Sequence, residues 1–290
     1  MGLNTIGTHC MKFICVGSGS SGNCYYLESK GTAILIDLGL GIRIFKKYLR
    51  DYGLTIPRIA AILVTHDHTD HVKSVGPFAR EFGIPVYASP RTHEGVERNR
   101  YMTKKVPAEL KRTTTVHEPF EIGNFRITPF PVPHDAFDNN GYFVELLTPE
   151  ERDDVFAPDP EDPQPTFCLI TDAGTPTPDM QRFVEQARHL VIEANYDEQM
   201  LQNGPYPAFL QRRIAGERGH MDNRDTAASL RQWLTPATRN IWLCHLSEEN
   251  NHPDIARKTV QNAIDELDFA ANVQLHVLPR RQATGIIHLN

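Results

Sequence analysis

The densest chemistry in the chain lies in Thr65-His66-Asp67-His68-Thr69-Asp70-His71, where three histidines and Asp70 fall at HxHxDH spacing within six residues. The stretch follows the apolar run Ala61–Val64 and so closes a buried strand. In extended backbone, side chains two residues apart share a face, so His66 and His68 can converge on one cation. A turn after them can aim Asp70 and His71 at a second. Imidazole and carboxylate donors suit zinc, manganese or iron alike, and the residue types do not choose among them. Three more donors close later apolar runs. These are His134 in Pro131-Val132-Pro133-His134-Asp135, Asp172 after Cys168–Thr171, and His245 after Ile241–Cys244. Alone, each reads as an ordinary loop residue. A shared sheet would carry all three to the edge that holds His66 to His71.

The elements that must position them are short apolar runs bounded by turn residues. Strands are predicted at Lys12–Gly17, Asn23–Glu28, Thr32–Asp37, Ile59–Thr65, Ile84–Ala88, Phe125–Phe130, Tyr142–Leu147, Thr166–Thr171, His189–Ala194, Asn240–His245 and Val273–Leu278. Helical spacing falls between them, at Ile42/Phe45/Leu49/Tyr52, Phe183/Val184/Ala187, Ala227/Leu230/Leu234 and Val260/Ala263/Ile264/Leu267. Pro253 suits a first helical position. Strands and helices run through the whole length without a repeat, which predicts one layered α/β domain over 12–290 after an N-terminal extension, 1–11.

Acids outnumber bases 36 to 30 in the 290 residues, a formal charge of −6. That argues against a bulk-basic nucleic-acid binder but leaves room for local basic patches. The segment 148–165 holds seven acids, one base and five prolines, so it accounts for the whole net charge. It reads as an acidic insertion loop in a hairpin, solvated or, alternatively, a partner-docking arm. Basic clusters stand out at Arg91–Arg112 and Gln211–Arg218. No apolar run approaches a membrane span, residues 1–10 lack the regions of a signal peptide, and Ile6 stands where myristoylation wants Ser or Thr. A cytoplasmic location is expected. The five cysteines contain no CxxC pair, which predicts reduced, buried thiols.

In order, Asp37, His66-x-His68-x-Asp70-His71, His134, Asp172 and His245 resemble the metallo-β-lactamase fold superfamily of binuclear hydrolases. The resemblance implies an αββα four-layer sandwich with two divalent metal ions (Zn, Mn or Fe) at one edge and no organic cofactor. By position it assigns His66, His68 and His134 to one metal and Asp70, His71 and His245 to the other. Asp172 would bridge them, and Asp37 would support the ligands from behind. Within the superfamily, four segments taken as a set resemble the YycJ (WalJ)-like exonucleases. They are Gly17-Ser18-Gly19-Ser20-Ser21-Gly22-Asn23, the HxHxDH segment, Glu193-Ala194-Asn195-Tyr196-Asp197 and His245-Leu246-Ser247-Glu248-Glu249-Asn250-Asn251. His220-Met221-Asp222 and the segment around His245 are similar to tRNase Z. This implies 5′→3′ exonuclease action on DNA linked to repair, with a hydroxide shared by the two ions attacking the phosphodiester.

The expected catalytic residues are Asp70, which with Asp172 as the alternative would orient the water, and His220 as general acid held by Glu193. Capping and a buried ion pair are the structural alternatives for the last two. The helix predicted over Asn223–Leu234 would offer free amides to a phosphate. Ser18, Ser20, Asn23, Arg212, Arg213 and Asn251 are candidate substrate contacts, with tight turns and a helix cap as the competing reading of the Ser and Asn residues. Competing functions are a thioesterase or small-molecule phosphodiesterase of the same fold, an RNA-processing nuclease, and a non-catalytic metal-binding adaptor. The intact ligand set argues against the adaptor. Oligomeric state is not legible in the residues.

Overall fold

A computed structural model describes residues 10–147 and 164–290. Two seven-stranded sheets carry the chain. The first holds β1 (Met11–Gly17), β2 (Cys24–Ser29), β3 (Thr32–Ile36), β4 (Ile59–Leu63), β5 (Val86–Ala88), β6 (Lys111–Thr113) and β14 (Ile287–Leu289), in the order β14-β1-β2-β3-β4-β5-β6. The second holds β7 (Phe120–Ile122), β8 (Phe125–Pro131), β9 (Asn140–Leu146), β10 (Thr166–Ile170), β11 (His189–Glu193), β12 (Asn240–Cys244) and β13 (Gln274–Val277), in the order β13-β12-β11-β10-β9-β8-β7. The helices are α1 (Ile42–Asp51), α2 (Thr69–Val72), α3 (Val75–Phe82), α4 (Pro90–Arg98), α5 (Pro178–Val184), α6 (Glu198–Asn203), α7 (Ala208–Ile214), α8 (Asn223–Trp233) and α9 (Pro253–Ile264).

Strand alternation explains the layering. Phe13 and Cys15 of β1 join Phe167 and Leu169 of β10 and Trp242 of β12 in a core between the sheets, where the Phe13 ring sits 5.2 Å from Phe167 and 5.0 Å from Trp242. The intervening residues face outward. Ile14 and Val16 pack with Phe45 and Phe78 of α1 and α3; Cys168, Ile170 and Leu243 pack with Val184, Leu230 and Val260 of α5, α8 and α9. Strands buried on both faces must be apolar throughout, which is why they read as runs rather than as alternation. Three apolar interfaces separate four layers, the expected αββα sandwich.

Each sheet is antiparallel in one half and parallel in the other. β3-β4-β5-β6 and β10-β11-β12-β13 run parallel. Parallel strands end at one edge, so the residues that follow β3, β4, β10, β11 and β12 meet there. Several predicted strands overran this edge. Asp37, Asp172 and His245 have φ of +60°, +54° and +53°, a left-handed backbone that stops the ladder and costs a non-glycine residue energy. Three of the five such residues among those described belong to the expected metal site.

Other expectations need correction. The N-terminal extension does not reach residue 11, because Met11 is buried in β1 and pairs with Leu289. β6, β7 and β14 were not foreseen; each has three residues at a sheet edge, too few to show a pattern. The acidic insertion falls largely on residues 148–163, outside the described residues, but the flanking β9 and β10 do pair antiparallel. All five cysteines are free, and all but Cys10 are buried.

Candidate metal centre

His66 and His68 follow β4, and the short helix α2 turns Asp70 and His71 back beneath them. His134 follows β8, and its Nδ1–H donates to the Gly219 carbonyl at 2.9 Å, which leaves Nε2 free. That Nε2 lies 3.3 Å from His68 Nδ1, and donor atoms of His66, His68 and His134 all fall within 4.8 Å of one another. The second group, Asp70, His71 and His245, meets the same limit. His71 Nδ1 donates to Asp37 Oδ2 at 2.7 Å, so its Nε2 is turned toward Asp172 Oδ2 at 3.2 Å and Asp70 Oδ2 at 3.6 Å. His245 Nε2 lies 3.5 Å from Asp70 Oδ2. Asp172 sits between the groups, within reach of His71, His134 and His245.

These donors fit a pair of divalent cations. A tetrahedral ion with nitrogen ligands at 2.0–2.1 Å separates them by about 3.3 Å, the His68–His134 spacing. His66 Nε2 is buried without a hydrogen-bond partner, a costly arrangement for a polar atom that a cation would relieve. Burial opposes charge on His71, yet the carboxylates of Asp172, Asp37 and Asp70 outweigh it and raise its pKa to about 10. His245 is likewise raised against its burial, chiefly by Asp172. A buried cage of this kind attracts positive charge.

Asp37 lies behind His71: Oδ1 accepts the Thr65 N–H at 2.9 Å while Oδ2 accepts the Thr65 hydroxyl and His71. Holding a ligand imidazole by a carboxylate fixes its tautomer. Glu193, at the end of β11, is fully buried. Its Oε1 lies 2.9 Å from both His220 Nδ1 and His245 Nδ1, and its Oε2 accepts the Ala173 N–H at 2.8 Å. The pairing with His220 was expected and the second, with His245, was not. Burial works against a charged His220, but Glu193 outweighs it and raises its pKa.

Among the candidate substrate contacts, the structure separates two kinds. Ser20 and Arg213 line a cleft of about 260 Å³ that also holds His68, Asp70, His134, Asp172, His220 and His245. Ser18, Asn23 and Asn251 are buried and employed internally. Ser18 Oγ accepts the His245 N–H at 2.9 Å. Asn23 Oδ1 accepts the Gly19 N–H, and its amide nitrogen lies 2.9 Å from His71 Nε2. Asn251 donates to the carbonyls of Ala194 and Asn195. Arg212 is exposed and does not line the cleft. Arg218, which closes the basic cluster Gln211–Arg218, donates twice to the His134 carbonyl. The amides opening α8 are not free either, because Asp222 Oδ1 accepts from Arg224 and Asp225. Sequence reasoning passed over Asn195, whose amide donates to the His245 carbonyl at 2.7 Å. Its place between Glu193 and Asp197 in a quoted motif was the available signal. It also left Asp67 without a role, although its Oδ1 accepts the Phe137 N–H at 3.0 Å.

A β-lactamase superfamily domain model matches residues 32–245. The chain is 33% identical over 266 residues to the exodeoxyribonuclease WalJ of Streptococcus pneumoniae, covering 92% of this chain and 93% of that one. It is 30% identical over 259 residues to the exodeoxyribonuclease YycJ of Bacillus anthracis, covering 89% and 91%. Human tRNase Z, short form, superposes with a TM-score of 0.59 over 96% of this chain and 99% of that one, at 15% identity. The chain belongs to the metallo-β-lactamase superfamily and is a metal-dependent hydrolase. Within it, the similarity to WalJ and YycJ spans nearly the whole sequence at moderate identity.

Proposed function

We propose that the protein is an exodeoxyribonuclease that cleaves DNA phosphodiesters from the 5′ end, in the cytoplasm and in the service of repair. The observation that carries a phosphodiester substrate is the His220–Glu193 pair at 2.9 Å, set in the wall of the metal cleft. Two divalent cations, when bound, supply Lewis-acid activation of water and offset charge developing on the phosphate. His66, His68 and His134 would hold one, Asp70, His71 and His245 the other, with Asp172 between. The chain does the rest. Glu193 accepts from His220 Nδ1, favours the imidazolium, and leaves the Nε2 proton for the departing oxygen. An alkoxide needs that proton; a thiolate leaving group does not, so the built-in donor favours phosphodiesters over thioesters. Arg213, held by Asp135 at 2.5 Å, brings positive charge to the rim. The names of the two full-length relatives support DNA as the polymer.

Digestion of 5′-labelled and 3′-labelled duplex DNA with manganese tests the reading, with Asp70→Ala as control. Release of short 5′-labelled products by wild type alone is expected. Hydrolysis of a thioester but of no DNA would overturn it.

A further inference from the structure

The metal cleft continues sideways into a groove of about 520 Å³ that shares His68, Asp70 and Arg213 with it. One wall is the end of α4 and the loop beyond it, through Arg98, Asn99, Arg100 and Tyr101; Phe137 forms part of the other. Tyr101 is 81% exposed, more than any other large hydrophobic residue among those described. The Arg98 guanidinium lies 5.5 Å over the Phe137 ring. Arg100 is exposed and makes no ion pair among the described residues.

Both walls are pinned to the ligand loop. Asn99 donates to the Asp67 carbonyl at 2.8 Å and accepts the Tyr101 N–H at 3.0 Å. Asp67, between two metal-site histidines, accepts the Phe137 N–H from the other side. Helix α4 presses on it so closely that a Cβ on Gly95 would fall 2.5 Å from Asp67 Cγ. The groove therefore keeps a fixed position relative to the cluster of candidate metal ligands.

Exposed aromatic faces interleaved with cations are the chemistry that grips an unpaired nucleic-acid strand: rings stack on bases and cations meet phosphates. Within a duplex the base faces are already stacked and cannot use such a surface. We infer that this groove holds the unpaired DNA nucleotides next to the phosphodiester under attack, with Tyr101 stacking on a base, the Arg98–Phe137 pair offering a second platform, and Arg100 meeting a phosphate. The inference rests on the exodeoxyribonuclease reading for its substrate and on the groove for its residues.

Wild type, Tyr101→Ala, Tyr101→Phe and Arg100→Ala are compared on a single-stranded octanucleotide and on bis(p-nitrophenyl) phosphate. The last fits the metal cleft alone. Tyr101→Ala is expected to raise KM for the octanucleotide roughly five- to hundredfold, the range of one lost stacking partner. It should leave bis(p-nitrophenyl) phosphate turnover and the melting temperature unchanged, and Tyr101→Phe should restore wild-type KM. An abasic residue walked along the octanucleotide should cost wild type the same factor at one position and cost Tyr101→Ala nothing there. Arg100→Ala should flatten the log KM against log salt plot by about 0.7. Equal octanucleotide KM for wild type and Tyr101→Ala overturns the inference. If wild type cleaves only non-nucleotide diesters, the exodeoxyribonuclease reading fails. Anisotropy of a labelled octanucleotide then still reads the groove, and an unchanged Kd in Tyr101→Ala overturns that too.

Discussion

Strand β11 begins with one buried histidine and ends beside two others, and the two ends could hardly differ more. At its start, His189 places Nε2 3.1 Å from the Asn290 carbonyl oxygen and Nδ1 3.0 Å from the Asn240 amide. That is the pattern of a neutral imidazole, donor on one side and acceptor on the other. Burial, with Arg188 and Arg239 adding to it, pushes its pKa down to about 4. At its end, Glu193 holds His220 and His245, while Asp37, Asp70 and Asp172 crowd the histidines beyond. Burial lowers an imidazole pKa in both places; at the carboxylate end it still holds His66 and His134 down, but neighbouring carboxylates reverse it for His71, His220 and His245. Depth alone does not make a metal ligand. What marks the ligand end is anionic neighbours in excess, together with ring nitrogens left without partners.

Breaking the carboxylate end should have the largest effect. Asp172→Asn removes the anion between the two donor groups. Activity on DNA is expected to fall on the order of 10³-fold or more, because losing a cation withdraws several kcal/mol of transition-state stabilisation. Elemental analysis should find less than the wild-type content of bound metal. Full metal content with full activity would remove Asp172 from the centre. His220→Ala should come next, with kcat lower by roughly 10²- to 10⁴-fold, as for a lost general acid, at undiminished metal content. Loss of metal in that variant would make His220 a ligand instead of a proton donor.

The carboxylate end was the more legible of the two. Its donors are crowded into HxHxDH or stand just past apolar runs, where parallel strands deliver them to one edge. The layers were legible for the same reason, since strands such as β10 must be apolar on both faces. Polar residues nearby stood open between a structural and a substrate-binding reading because the sequence does not say which way they face. Ser18 and Asn251 turn inward, since strand ends leave backbone groups that need partners. Asp222 closes the helix terminus that a phosphate was expected to use. The basic run Arg91–Arg112 was visible, but only the packing of α4 on Asp67 puts Arg100 and Tyr101 beside the candidate metal ligands. His189 carried no signal, because nothing in its sequence neighbourhood records that Asn240 and Asn290 will meet it.

The neutral end yields the smallest effect, seen in stability rather than in catalysis. With a folded pKa of about 4 and an unfolded value near 6.5, His189 binds fewer protons folded than unfolded between those limits. Its contribution is therefore complete above pH 6.5, declines as the pH falls, and is gone once the pH passes about 4. The size is roughly 3 kcal/mol, 1.36 kcal/mol for each pKa unit. Denaturant unfolding of wild type and His189→Gln at saturating metal, across pH 4 to 6.5, isolates it. The variant starts lower in stability, because Gln cannot fill the imidazole's place, but should lose less on acidification. Metal-site carboxylates and histidines contribute equally to both proteins, so they cancel in the difference. Parallel curves would mean that His189 does not stay neutral in the fold, and that acid lability belongs wholly to the carboxylate end.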